Sequence, residues 1–240
     1  MRKTFKKVLP VMPASIQAAA YADTEILFDW HKIEDFKGSL IDGVKVIVRG
    51  TNGAAQTMVG IDLLFATSNI AIPSDGRHAS LDTAPATLGT TGAAVDTPGW
   101  FNNLVGYVPV AAGDFNDADL IYLNVANIDL AGKEIPVSGG DLYVAAIAKG
   151  ALDFRTTVQV NETGFGAGTQ TVITLDTKDA TLCFAPGDVI HAVDDAVLGT
   201  IKTVDSATQI TLTTANYDAI ANNDVLYNVS PIQLILSGTK

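Results

Sequence analysis

Residues 185–213 read APGDVIHAVDDAVLGTIKTVDSATQITLT and decide the fold class. Pro186-Gly187-Asp188 has the chemistry of a turn, since proline presets φ and glycine accepts a positive φ without steric cost. Apolar and polar residues then alternate strictly in Gln209–Thr213, so that one face of that segment is buried and the other is wet. The stretch predicts three short strands separated by turns, and these are Val189–Ala192, Val197–Val204 and Gln209–Thr213. Gly199, inside the second strand, is expected to form a bulge or to allow a close backbone approach.

The residues around this stretch extend the same pattern into a small β module over residues 153–240. Six short strands in so few residues predict a small barrel or sandwich. Gly164, Gly166 and Gly168 form a flexible connection between two of the strands. The remaining predicted strands are Thr156–Val160, Gln170–Leu175 and Ile232–Leu236.

The preceding residues, 21–152, read as an antiparallel β-sandwich domain of jelly-roll-like character. Asp42-Gly43 is expected to turn the chain, and Asn52-Gly53 to close a hairpin whose second strand is Thr57–Ala66. Leu142–Ala148 is continuously apolar, which is typical of a central strand. Residues 67–100 form a long loop rich in Ala, Thr, Gly and Pro, and we expect it to contact a neighbouring subunit. The fold class is therefore all-β.

Residues 1–20 are predicted to form an extended basic arm. The first seven residues resemble the start of a secretory signal, but Pro10, Pro13, Ser15 and Gln17 interrupt the apolar run that follows, so no signal peptide is predicted. We expect the arm to strap the protein to an adjacent subunit. The predicted partner-contact residues lie in this arm and at the end of the long loop: Arg2, Lys3, Lys6, Lys7, Val8, Leu9, Val11, Met12, Trp100 and Phe101.

Charge and composition exclude several classes of partner. The formal net charge is −11, which disfavours nucleic-acid binding because phosphate contacts need clustered Lys and Arg. No apolar run approaches the roughly 20 residues of a membrane-spanning helix. The single cysteine, Cys183, cannot form an intramolecular disulfide, and its neighbours Leu182 and Phe184 predict a buried thiol.

A search for chemistry finds no catalytic constellation. His31, His78 and His191 have no metal ligand at a suitable spacing. Residues 114–119, DFNDAD, resemble part of a calcium loop but lack the glycine at the sixth position, so a surface turn is favoured. Residues 164–168, GFGAG, lack the lysine of a phosphate loop. We therefore predict no catalytic residue, no metal site, no cofactor and no enzymatic activity.

Four short motifs resemble the small β modules of virion structural proteins of tailed bacteriophages. They are Ala185–Ile190, Gly199–Ile201, Ile210–Thr213 and Pro231-Ile232. The resemblance is to head auxiliary proteins, which decorate or cement the shell. It implies a non-enzymatic structural protein on the capsid surface that contacts the major capsid protein or other virion subunits and assembles as a homo-oligomer, with a trimer favoured.

Two other classes stay open at this point. A carbohydrate-binding, fibre or adhesin module would need exposed aromatic residues on one face, and neither Trp30 nor Trp100 lies in an evident cluster. A hydrolase on a β scaffold is disfavoured by the missing catalytic constellation.

Overall fold

The computed structural model describes residues 3–9, 21–33, 40–67, 104–118, 122–137, 141–192 and 196–239. Within these ranges the chain forms antiparallel β-strands and two single-turn 3-10 helices, which confirms the all-β class. The 3-10 helices are Ala112–Asp114 and Ala180–Leu182. The strands are β1 Lys3–Leu9, β2 Tyr21–Ile33, β3 Leu40–Arg49, β4 Gly60–Ala66, β5 Leu104–Val110, β6 Phe115–Ala118, β7 Leu123–Asp129, β8 Ile135–Pro136, β9 Leu142–Leu152, β10 Arg155–Val160, β11 Val172–Asp176, β12 Val189–Ala192, β13 Val197–Ser206, β14 Gln209–Leu212, β15 Val225–Asn228 and β16 Ile232–Thr239.

Two of the described sheets pack face to face as a sandwich. The large sheet has the order β1-β16-β3-β7-β6, with β8 paired to one end of β3, and the small sheet has the order β2-β9-β4-β5. Val44, Val46 and Val48 of β3 are buried while Lys45 between them is only half-buried, as period-two alternation requires. Apolar side chains of both sheets form one continuous core.

The remaining strands close into a barrel with the order β10-β11-β14-β13-β12-β15. The barrel has its own hydrophobic core, which includes Val158, Ile173, Leu198 and Phe184. Gly199 has φ +131° and lies where the pairing of β12 with β13 shifts register, so the predicted bulge is confirmed. In sequence the barrel lies between β9 and β16, as an insertion in the sandwich.

The C-terminal strand differs from its predicted place. Ile232–Leu236 was expected in the second module, but β16 pairs with β1 and β3 in the large sheet. The barrel takes β15, Val225–Asn228, as its sixth strand instead. The reason is tertiary packing: the side chains of Ile232, Leu234 and Leu236 join the core between the two sheets of the sandwich and not the core of the barrel.

The predicted hairpin after β3 is also different. Asn52 and Gly53 have φ 56° and 75°, so the turn itself is present. However, β4 does not pair with β3; it lies in the small sheet between β9 and β5, because its side chains are buried on both faces. Asp42-Gly43 is not a turn but part of β3, where the register with β16 shifts.

β9 ends at Leu152, next to the expected boundary between residues 152 and 153, and the chain then crosses into the barrel, whose first strand begins at Arg155. The predicted arm is partly a strand, because Lys3–Leu9 pairs with β16 of the same chain rather than extending freely.

Candidate interaction surfaces

Half of the predicted partner-contact residues lie in β1. That strand pairs along its whole length with β16, from Lys3 opposite Gly238 to Leu9 opposite Ile232. Lys6, Lys7 and Val8 therefore belong to the outermost strand of the large sheet. The others lie outside the described residues, as does the long loop beyond Thr67: Arg2, Val11, Met12, Trp100 and Phe101.

Asp114, the first residue of the segment that resembles part of a calcium loop, has a structural role. The Asp114 carboxylate accepts a hydrogen bond of 2.8 Å from the Ala111 backbone N–H and thereby closes the 3-10 turn before β6. Residues 115–118 then continue as β6, paired with β7. Across the described ranges, no three His, Cys, Asp or Glu side chains are grouped closely enough to hold a metal ion.

The outer face of the large sheet carries a groove of about 500 Å³. Gly43 of β3 lies at its floor, where Ser237 and Asp129 are directly opposite on the neighbouring strands. The Ser237 hydroxyl donates a hydrogen bond of 2.8 Å to Asp42, and the Asp129 carboxylate accepts one of 3.0 Å from the Ala131 backbone N–H. Both carboxylates thus accept hydrogen bonds from the same chain, and together with the Ser237 hydroxyl they give the groove a polar lining.

Lys45 gives the groove a positive charge. Its ammonium group makes no ion pair with any described residue, and it is flanked by Ile235 and Asn127 on the adjacent strands. A half-buried lysine beside an aliphatic side chain buries its stem and keeps its head in water. The groove therefore carries both signs of charge, with Lys45 beside the Asp42 and Asp129 carboxylates, and can accept a polar segment of another chain.

A second polar cluster lies on the outer face of the small sheet. Asp62 is only 9% exposed, and its carboxylate lies 3.7 Å from the Lys149 ammonium group. The Tyr107 hydroxyl hydrogen-bonds to the same carboxylate, and the tyrosine is 52% exposed. Burial first, and then the nearby Asp62 carboxylate, raise the pKa of Tyr107, so the phenol stays protonated at neutral pH. An exposed aromatic ring with a buried charged partner is a typical contact feature of a protein surface.

The sandwich and the barrel are joined by the connection between β3 and β4, residues 50–59. The Asn52 side-chain oxygen accepts a hydrogen bond of 2.9 Å from the Thr157 backbone N–H of the barrel. The Gly53 N–H donates to the Leu182 carbonyl at 3.0 Å. The Gln56 side chain donates to the Asp153 carbonyl, where the chain enters the barrel. The connection thus contacts the barrel at several points.

An ion pair completes this junction. The Arg49 guanidinium, at the end of β3, donates to the Asp188 carboxylate in the turn before β12, and its second nitrogen donates to the Cys183 carbonyl at 3.2 Å. The side chains of Arg49 and Asp188 are only 22% and 13% exposed. Burial raises the pKa of Asp188, and the Arg49 charge acts in the opposite direction. The pair therefore carries a desolvation cost that only a fixed geometry can offset.

The entry to the barrel has its own ion pair. The Asp153 carboxylate accepts two hydrogen bonds from the Arg155 side chain, at 2.8 and 2.6 Å. Hydrogen bonding to Arg155 lowers the pKa of Asp153 despite partial burial. This bidentate contact fixes the direction in which the chain leaves the sandwich.

Pro186-Gly187-Asp188 has the predicted turn, but its role in the junction is not evident from the local sequence. The Asp188 N–H donates to the Ala185 carbonyl at 3.1 Å, so the turn is confirmed. Nothing local to the turn indicates a partner 139 residues earlier in the chain. The one available indication was an arginine at the end of a strand of alternating buried valines.

The sequence matches no protein-family profile, and no curated protein is similar enough to count as a match. In the described part of the chain, no helix has the length and apolar character needed to cross a membrane.

Proposed function

We propose that this protein is a non-enzymatic structural subunit of a tailed-phage particle, and specifically a head auxiliary protein that stabilises the shell. Its partners are the major capsid protein or other virion subunits, and it acts as a homo-oligomer, with a trimer favoured. The proposal rests on the phage resemblance of the four β motifs together with the geometry of the junction.

The observation that carries the proposal is the set of hydrogen bonds and the ion pair that join the two β modules. The β3–β4 connection contacts the barrel through the half-buried side chains of Asn52 and Gln56, and the pair Arg49–Asp188, with side chains 22% and 13% exposed, completes the junction. A protein that bridges fixed positions on a shell benefits from such a junction, because little conformational entropy is lost when a preorganised body binds.

The Asp153, Asp188 and Asp205 carboxylates, whose pKa values are shifted, make contacts within the scaffold. Asp153 and Asp188 contact arginines at the junction, and Asp205 accepts hydrogen bonds from Thr203 and Thr211 at 2.7 and 2.6 Å. Functional sites are where perturbed pKa values usually cluster, but ion pairs within a scaffold perturb them too. In these three cases the neighbouring groups fix strands and turns in place.

Reconstitution on phage heads provides the direct test. Heads purified without this protein are mixed with the purified chain, and binding is followed by sedimentation and electron microscopy. We expect saturable decoration of the shell and higher resistance of decorated heads to heat. Arg49→Met perturbs the junction and should decorate less stably, whereas Lys202→Met, at an exposed position of β13, is the matched control and should decorate as the unmodified chain does. Failure to bind heads, together with specific binding to a glycan array or localisation to a fibre, would favour the adhesin alternative.

A further inference from the structure

β1 is the outermost described strand of the large sheet, and it covers an edge of β16 that has room for one strand. β1 pairs antiparallel with β16 over seven residues, and no described strand pairs with the opposite edge of β1. β16 in turn pairs with β3 on its other side. The edge of β16 is therefore complementary in length and register to the sequence KTFKKVL.

The connection between β1 and β2 is long enough to let β1 reach another molecule. Residues 10–20 separate the two strands, and eleven residues of extended chain span about 36 Å. Pro10 and Pro13 in this connection each fix φ near −65° and remove a backbone donor, so they disfavour compact helical structure there. The connection can bring β1 to its own β16 or to the β16 of a neighbouring copy.

We infer that β1 is exchanged between copies of this chain, so that β1 of one protomer pairs with β16 of the next. The exchanged pairing has the same register and the same backbone hydrogen bonds as the pairing within one chain, so it forms at little energetic cost. Reciprocal exchange closes a dimer, and cyclic exchange closes a trimer. The inference does not depend on the virion proposal.

Charge favours the encounter between copies. β1 carries Lys3, Lys6 and Lys7, and the chain as a whole has a formal charge of −11, so the rest of the chain carries −11 − 3 = −14. A basic strand is attracted to an acidic body of the same kind, which raises the association rate at low ionic strength.

Exchange would also make the groove a shared site. Thr4 of β1 lines the groove together with Ser237, Lys45 and Asp129 of the other strands. In the exchanged assembly, Thr4 would come from one copy and the other three residues from the next.

Disulfide trapping between single-cysteine variants tests the inference. Thr4 lies directly opposite Ser237 in the β1–β16 register, a separation that a disulfide can bridge. Full-length Thr4→Cys and Ser237→Cys chains are refolded together, oxidised and separated on a non-reducing gel. A disulfide between these two variants can form only across two molecules. The natural Cys183 is buried and is present in every sample.

The matched control uses a pair of strands that the inference leaves within one chain. Lys45 lies opposite Ile235 in the β3–β16 register, so Lys45→Cys and Ile235→Cys chains are mixed in the same way. We expect the Thr4/Ser237 mixture to give about tenfold more cross-linked dimer than this control, because a paired strand holds its cysteines at a high effective concentration.

The double variant Thr4→Cys/Ser237→Cys separates the remaining outcomes. Covalent dimers or trimers of this variant support exchange. A gel that contains only monomers with an internal disulfide overturns it, whether or not the protein is oligomeric, because the oligomer would then use another surface. Homodimers of the Thr4→Cys variant alone, in clear excess over the cross-linking of the Lys45/Ile235 control, also overturn it, since they indicate that two β1 edges pair with each other.

Discussion

Replacing Arg49 by methionine tests how the barrel is held to the sandwich. The methionine keeps most of the aliphatic stem but leaves the Asp188 carboxylate, only 13% exposed, without its cation. Breaking a fully buried ion pair costs about 3–5 kcal/mol, and the residual exposure of both side chains places this one near about 2–3 kcal/mol at pH 7.

The predicted loss depends on pH in a definite direction. Burial already raises the pKa of Asp188 above that of the unfolded chain, and Arg49 is the largest influence that opposes the rise. A carboxyl whose folded pKa is raised contributes most to stability below the unfolded pKa, and that contribution is lost as pH rises through the folded pKa. Without Arg49 the folded pKa rises further. The deficit of Arg49→Met should therefore be largest at neutral pH and shrink in acid.

Urea unfolding at pH 7 and at mildly acidic pH measures this deficit, with hydrogen exchange on peptides covering residues 40–50 and 181–190 to locate it. Lys202→Met removes the same charge from an exposed position of β13 and should change stability by less than about 0.5 kcal/mol. The double variant Arg49→Met/Asp188→Asn should lose the additional pH dependence. An equal deficit at both pH values, or none at pH 7, would refute the assigned role of the pair.

Three further substitutions have definite expected outcomes. Asn216→Ala removes a fully buried amide that makes four side-chain hydrogen bonds at 2.6 to 3.1 Å. In hydrogen exchange, barrel peptides of this variant should lose about 2–4 kcal/mol of protection. The exposed control Asn222→Ala should leave that protection unchanged. Gly106→Ala places a Cβ within 2.5 Å of a buried isoleucine of β8 and should cost about 1–3 kcal/mol in thermal unfolding, against almost nothing for Gly113→Ala. Thr156→Val removes a buried hydroxyl that donates to the Leu226 carbonyl at 2.6 Å, and urea unfolding should show a loss of about 1–2 kcal/mol; an unchanged midpoint would contradict that role.

Most strands of the barrel were predictable because the residues that define them are neighbours in the sequence. β12 was predicted with its observed bounds, and β13 and β14 within two residues at one end. Turn residues and period-two alternation define such strands without reference to the rest of the chain. Four-residue β15 was missed, since Leu226, Tyr227 and Asn228 are all buried and so show no alternation.

The pairing of strands was not predictable in the same way. The alternation of Ile232, Leu234 and Leu236 indicates a strand with one buried face, but it does not say which sheet the strand joins. Likewise, the Asn52-Gly53 turn predicts a reversal of direction, whereas the next seven-residue strand, β4, crosses to the other sheet. The ion pair of the junction was not predictable from local sequence either, because Arg49 and Asp188 are 139 residues apart. These features depend on tertiary packing, which overrides local preference.

The insertion of the barrel has a consequence for the order in which the sandwich can form. β3 can pair with β7 early, but its other edge waits for β16, which follows the whole barrel in sequence. β1 precedes both and has only β16 as a described pairing partner, so during synthesis it stays unpaired until the barrel is complete. Non-local pairings of this kind form slowly, and unpaired strand edges are exposed to other chains in the meantime. If copies are synthesised close together, a neighbour's β16 competes with the chain's own β16 for β1, because both offer the same register and the same backbone hydrogen bonds. Slower synthesis of residues 153–231 relative to the preceding domain should then increase the fraction of exchanged, cross-linkable Thr4→Cys and Ser237→Cys protomers, and a fraction independent of that delay would show that exchange is decided after folding.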